Sequence, residues 1–335
     1  MEIYVPDLIS TAALEFCKKV NQIEEKDTES YCFDFMNVHT CDPFPMLIVS
    51  NEIRRKSVEL KRFGCYARNC SNSYAKHMKF YRACGLKIGD EVETERGNDN
   101  YSCITKLSVK ELREEGQKTF DVLQEVIEKK AKTMAKIVGQ GNEGFIKWLA
   151  FVIRELIRNI PEHSKSDIIW YCAQYWPSYD LVELAIMDEG IGIQKSLCKN
   201  VNHSHMINSD EDAIKLSLEP GISETIIGNG SLHLRNEWDN SGYGLYMVSE
   251  MCAELDASFI LASGKSAIKV QKEKGKIIQK KYDTNIHGTA IQIRIRPAST
   301  VDYDEIRRQI VSRGEAKAKQ NKKAIHVASK SSRGL

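Results

Sequence analysis

The chain has 335 residues, 42% of them hydrophobic and 28% charged, and its 48 basic and 46 acidic side chains leave a formal charge of only +2. That length exceeds one ordinary domain and the apolar content is enough for two cores, while the near-balance of charge supplies no field that would draw nucleic acid or an anionic membrane. No apolar run approaches the roughly 18 residues needed to span a bilayer, and the ten cysteines are scattered through core-like segments with no CxxC pair. A reduced, cytoplasmic, globular protein without a zinc site is expected.

In chain order, residues 8–23 carry Ala13, Leu14, Phe16, Cys17 and Val20 at helical spacing, and residues 31–36 (YCFDFM) alternate like a short strand. The two prolines of CDPFP (41–45) break the chain, after which 46–58 resumes helical spacing with Pro45 near the helix start. A helix is predicted over 73–84, stopped by Gly85. This strand, turn and helix, with the later helix ending in FYRACGL, resemble the STAS domain of sulfate transporters and anti-sigma-factor antagonists. That family has an Asp-Ser-Ser-Gly turn, whereas this chain has Asp42, Pro43, Phe44 and Pro45, with no serine where the antagonists are phosphorylated. The resemblance implies a small α/β domain over 1–105 that is not itself a phosphate acceptor. An unrelated small α/β domain would share the same order of elements.

Residues 108–136 are charged, with Leu112, Phe120, Leu123, Val126 and Ile127 on one stripe, and are expected to form a single amphipathic connecting helix within 106–140. The stripe is expected to pack on its own chain, with a homodimer seam as the alternative. GQGNEG (139–144) interrupts the pattern before a helix over 145–160, where Trp148, Leu149, Val152, Leu156 and Ile160 share an apolar face. Glu155 and Asn159 sit four apart on a neighbouring face. An asparagine carbonyl is a hard neutral ligand for Mg²⁺, and a carboxylate one turn away can take a proton from an attacking nucleophile.

Residues 181–187 (LVELAIM) read as a buried strand delivering Asp188 to a cleft, and Gly190 and Gly192 of DEGIGI allow the backbone to approach a ligand closely. Residues 241–245 (SGYGL) form a glycine turn opening a helix, which offers backbone N–H groups to phosphate oxygens. Thr289 in HGTAIQIRI is expected to begin an alternating strand.

In this order and at this spacing, the four segments ELIRNIPEH, DEGIGI, SGYGL and HGTAIQIRI resemble the nucleotide site of the gyrase, heat-shock chaperone, histidine kinase and mismatch-repair ATPase superfamily, GHKL, over about residues 143–297. The resemblance implies ATP bound through Mg²⁺ without a P-loop. It implies Asn159 as the magnesium ligand, Glu155 as the general base and Asp188 as acceptor for the adenine amino group. Gly190, Gly192, Gly242, Gly244, Leu245 and Thr289 would complete the cradle.

The expected fold is a two-domain α/β (α+β) protein. A STAS-like domain over 1–105 and a connecting helix over 106–140 precede a Bergerat-type α/β sandwich over 141–300, with a mixed sheet and a helical layer. A C-terminal helix and a frayed basic tail follow over 301–335. Residues 194–240 would be a mobile lid over the nucleotide. Three uses of ATP remain open: transfer to a protein Ser or Thr as in anti-sigma-factor kinases, hydrolysis driving a conformational switch, and sensing without catalysis. A two-component histidine kinase is disfavoured because 108–136 contains no histidine and Glu155 stands where those enzymes usually carry asparagine. The partner implied is a protein, of STAS or another regulatory type, and neither a membrane nor nucleic acid.

Overall fold

The structure, a computed structural model, describes residues 1–24, 30–60, 64–86, 100–224, 241–297, 301–321 and 324–333. Short apolar strands alternating with helices give the N-terminal part a parallel sheet, because parallel neighbours require a crossover between them. β1 (Glu2–Tyr4), α1 (Ser10–Asn21), β2 (Tyr31–Asp34), α2 (Pro43–Glu59) and β3 (Cys65–Arg68) follow one another, and the strands pair in the order β1-β2-β3. The predicted helix over 73–84 is two helices, α3 (Ser73–His77) and α4 (Phe80–Ala83). They are separated by Lys79 in the left-handed region at φ +60. The break lets Phe80 and Tyr81 meet the edge of Phe35, at centroid distances of 5.8 and 5.2 Å.

A second, antiparallel sheet holds β4 (Tyr101–Ser108), β5 (Ile168–Trp176), β6 (Leu181–Asp188), β7 (Ser258–Glu273) and β8 (Lys276–Ile295) in the order β4-β5-β6-β8-β7. The expected boundary at 105 falls within β4, and Thr289 lies well inside β8 rather than at its start. The expected single connecting helix is likewise two, α5 (Val109–Thr119) and α6 (Leu123–Val138). Phe120, left-handed at φ +59 and fully exposed, turns the chain between them. With this turn Leu112, Val126 and Ile127 are all buried in one core beside α7 (Glu143–Asn159).

The five-stranded sheet is covered on both faces, which explains why β6 reads as a continuous apolar run. Leu184 and Ile186 join the core of α6 and α7, whereas Ala185 and Met187 join the core of α1 and α2. The N-terminal segment therefore supplies a second covering layer. Its attachment is polar as well as apolar. The Phe44 amide at the start of α2 donates to Glu183 Oε1 at 3.0 Å, and Arg294 lies 3.5 Å from Glu183 and 3.1 Å from Asp42. Burial, then the neighbouring Asp42, pushes the Glu183 carboxyl above its ordinary range, and Arg294 opposes them. Removing this acceptor strands a buried amide and part of an ion pair. Glu183→Ala is thus expected to cost about 2–4 kcal/mol in urea denaturation, and Glu183→Gln, which keeps an acceptor oxygen, distinctly less.

Between β6 and the site's last helix lie α8 (Gly192–Leu197), α9 (Val201–Ser204) and α10 (Asp210–Ser217), so much of the stretch expected as a lid is helical. Capping explains part of this: Ser209 accepts from the Asp212 amide at the start of α10. Residues 225–240 of that stretch lie outside the described residues. α11 (Gly244–Glu254) and α12 (Tyr303–Ala318) follow, with a last turn, α13 (Lys330–Arg333). The tail is not frayed over 324–333. Ala324, Ile325 and Ala328 are buried, and Arg333 pairs with Glu315 at 2.6 Å, so apolar burial and an ion pair hold this basic segment on the domain. Among the described residues no helix is long and apolar enough to cross a membrane.

Candidate functional site

α7 starts with an Asn142 side chain accepting from the Phe145 amide at 3.0 Å. It buries Trp148, Leu149, Val152 and Leu156 in the core. That burial fixes the rotation of the helix and presents Asn159 to a cavity. Pro161 lacks an amide to continue the ladder, and the chain widens into a π turn over Ile160–Ser164. The turn carries His163 and Ser164 to the same cavity.

Asp188 ends β6 and is 5% exposed, which leaves its carboxylate little water. Burial raises it to about 7, against hydrogen bonds from the Gly190 amide at 2.7 Å and from Ser164. The loop after it is tightly braced. Ile191 N–H donates to Ser164 O at 2.8 Å, Ile193 N–H donates to Ser263 Oγ at 3.0 Å, and Ser263 Oγ donates to Gly288 O at 3.0 Å. A Cβ on Gly190 would come within 2.2 Å of Ser164 O, so glycine is required there for close approach of two backbones. Across the sheet, Thr289 stands opposite Asp188 in register.

The glycine turn is positioned from the other side. Gly242 has φ +70, and a Cβ there would lie 2.4 Å from Ile222 O, so both conformation and space demand glycine. Its carbonyl accepts from the Gly221 amide at 3.1 Å. Gly244 opens α11 directly above α7: a Cβ on it would lie 3.0 Å from Glu155 Oε2 and 3.9 Å from Asn159 Nδ2.

These segments enclose about 830 Å³ of empty space, part of it open to solvent. Asn159, Asp188, Gly192, Gly242, Gly244, Leu245 and Thr289 line it, over a floor that includes Leu156, Ile160, Ile186, Met187 and Ile291. Seven of the nine residues singled out in the sequence thus share one cavity. Gly190 does not line it, being turned into Ser164. Glu155 lines a smaller recess beyond Asn159 and Gly244. Its Oε1 takes both guanidinium bonds from Arg154, at 2.9 and 3.2 Å, while Oε2 faces Gly244.

The aliphatic floor carried no signal in the sequence beyond core periodicity. Neither did Glu224, which lies 3.1 Å from His163 Nδ1 and accepts from Lys199 at 2.8 Å and Ser196 at 2.9 Å. Burial pushes the Glu224 carboxyl up, but these donors outweigh it and hold it down at about 2. The Asn159 carboxamide borders both the cavity and the recess of Glu155, Arg158 and Glu162, where it could serve as a ligand to Mg²⁺, an ion that keeps most of its waters and needs few protein ligands.

α2 grips the Asp188 side of the site from behind. Arg54 pairs with Glu189, which also accepts from Trp170 Nε1, and the guanidinium lies 4.4 Å from the Trp170 ring centroid. Glu52, fully buried, accepts from the His287 amide at 2.9 Å. Both contacts fall close to the cross-strand pair of Asp188, at the end of β6, and Thr289. Arg54→Ala is expected to cost about 1–3 kcal/mol and to accelerate amide hydrogen exchange in residues 189–191 ahead of the rest of the sheet.

No protein-family model matches this sequence, and no curated protein matches it.

Proposed function

We propose that this chain is a GHKL-type ATP-binding protein that transfers the γ-phosphoryl group of Mg²⁺-ATP to a serine or threonine of a protein. The observation that carries the reading is the joint lining of one cavity by Asn159, Asp188, Gly242, Gly244 and Thr289, drawn from segments up to 130 positions apart in the chain. A purine fits the aliphatic floor, with the Asp188 carboxylate as acceptor for an exocyclic amino group. The N-terminus of α11 suits phosphate oxygens through its free amides and dipole. Magnesium would neutralise phosphate charge there, with Asn159 as its protein ligand. Glu155, with one oxygen held by Arg154 and the other toward Gly244, is the group available to take the proton of an attacking hydroxyl.

Kinase chemistry is favoured over hydrolysis by the N-terminal layer, whose strand, turn and helix order supports a STAS-like reading. The position equivalent to an antagonist's phosphoserine holds Pro43, buried at the start of α2 with its carbonyl accepting from Cys172 of β5. This unit therefore serves as a fixed companion, and the partner to be phosphorylated is a separate protein. Incubation with γ-labelled ATP and Mg²⁺ tests the reading. Label on a protein hydroxyl supports the kinase, free phosphate alone supports a hydrolase, and bound ATP with neither product supports a sensor.

A further inference from the structure

The recess beside the main cavity is lined by Glu155, Asn159, Ser241 and Gly244, by the ion pair of Arg158 and Glu162, and by two hydroxyls of the C-terminal segment, Ser329 and Ser332. Nothing in the four motifs required the tail to come here. It is brought by contacts with the glycine turn itself: Ser329 N–H donates to Ser241 Oγ at 3.0 Å, and Tyr243 OH donates to Ile325 O at 3.1 Å. Ile325 N–H donates to Gly221 O at 2.8 Å, and Gly221 N–H in turn donates to Gly242 O at 3.1 Å. At the far end Glu315 accepts from the Ala328 amide at 3.0 Å and pairs with Arg333. The segment that would cradle phosphates and the segment bearing the hydroxyls are thus one hydrogen-bonded unit.

The two serines have different positions in it. Ser329 Oγ accepts from the Ser332 amide at 3.2 Å and lies 3.1 Å from Ser332 Oγ, so it orients its neighbour. Ser332 is 1% exposed. Its hydroxyl is held by Ser329 Oγ in the recess that Glu155 also lines.

We propose that Ser332 is an intramolecular phosphate acceptor of this site, with Ser329 as its positioning residue. The inference rests on the kinase reading above. Ser332 Oγ forms a bond to the γ-phosphorus of ATP, the bond from that phosphorus to the β,γ-bridging oxygen breaks, and ADP departs with the electron pair. The hydroxyl proton passes to the Glu155 carboxylate. Holding nucleophile and cradle in one hydrogen-bonded unit makes the reaction unimolecular, which is where most of its advantage over transfer between chains would lie.

The test uses the full chain with Mg²⁺ and γ-labelled ATP and no added partner, with ATP binding measured separately by equilibrium dialysis. The expected result is a phosphate mapped by mass spectrometry to Ser332, formed with a first-order rate constant that does not change on dilution of the protein. Ser332→Ala should lose the label while retaining ATP binding, Ser332→Thr should restore it as phosphothreonine, and Ser329→Ala should slow it. ATP bound without label on residues 324–335, label on another residue of that segment, or a rate constant that rises with protein concentration would overturn the assignment and leave the nucleotide site standing. Failure to bind ATP at all would instead remove the reading beneath it.

Discussion

Exchanging Asp188 for asparagine is expected to weaken ATP binding about 10- to 100-fold while leaving the chain folded. The carboxylate can accept on both oxygens: Oδ1 already takes the Gly190 amide, and Ser164 is a further donor to the group. An asparagine must present an N–H₂ to one of these donors or to the adenine amino group, which sets donor against donor. The same substitution separates two pH effects of opposite sense. In the folded chain the Asp188 carboxyl is raised to about 7 from its ordinary 3.8, so between those values the unfolded chain holds fewer protons than the folded one.

Stability of the ligand-free protein therefore falls as pH rises from about 4 to about 7 and is flat above, by at most about 4 kcal/mol from this group. ATP binding should run the other way. The charged acceptor is lost as pH falls below about 7, and affinity should drop by up to about tenfold per unit. Asp188→Asn should abolish both dependences. Urea titrations of the apo protein and ATP titrations, each at pH 5.5 and 8 (roughly either side of the raised value), would reveal it. A variant that keeps the parent's ATP affinity at pH 8 would show that Asp188 does not receive the base.

Glu155→Gln is expected to lower phosphoryl transfer or hydrolysis about 10²–10⁴-fold with ATP affinity nearly unchanged. Glutamine preserves length and an acceptor oxygen for Arg154, so the brace on α7 survives, but the amide cannot take the proton of the nucleophile. Turnover is best read by single-turnover release or transfer of labelled phosphate under saturating ATP, which isolates the chemical step. A variant with parental turnover would mean that the proton goes elsewhere, with Glu162 of the same recess and His163 of the main cavity the next groups to test. The main cavity and Glu155's recess meet at Asn159 and Gly244, so Glu155 lies beyond Asn159 as seen from the aliphatic floor.

Local pattern made several elements legible. The periodicity of residues 145–160 and the apolar run of 181–187 correspond closely to α7 and β6, because α7 buries a stripe at helical spacing and β6 is covered on both faces. The glycines were legible for a local reason: at Gly242 φ is positive and a Cβ would lie 2.4 Å from the Ile222 carbonyl oxygen, so the position has almost no alternative. Helix interruptions were not. Lys79 and Phe120 take left-handed conformations that neither residue favours, and only the packing of Phe80 and Tyr81 on Phe35, and of α6 on α7, makes those turns worthwhile.

The C-terminal segment was misread from its charge. Lysines and arginines suggest a solvated end, yet the sparse apolar residues Ala324, Ile325 and Ala328 fall where a complementary surface exists, and a composition cannot register a surface made by distant residues. By itself the sequence determined which short segments could carry nucleotide chemistry, since glycine turns, a strand-end aspartate and a Glu/Asn pair at helical spacing are local properties. That Asn159, Asp188, Gly242 and Thr289 line one cavity, that α2 braces the loop after Asp188 and that Ser332 lines the adjoining recess were decided only by tertiary structure. Those neighbours are set by sheet order and by burial on both faces of one sheet, which couple residues hundreds of positions apart.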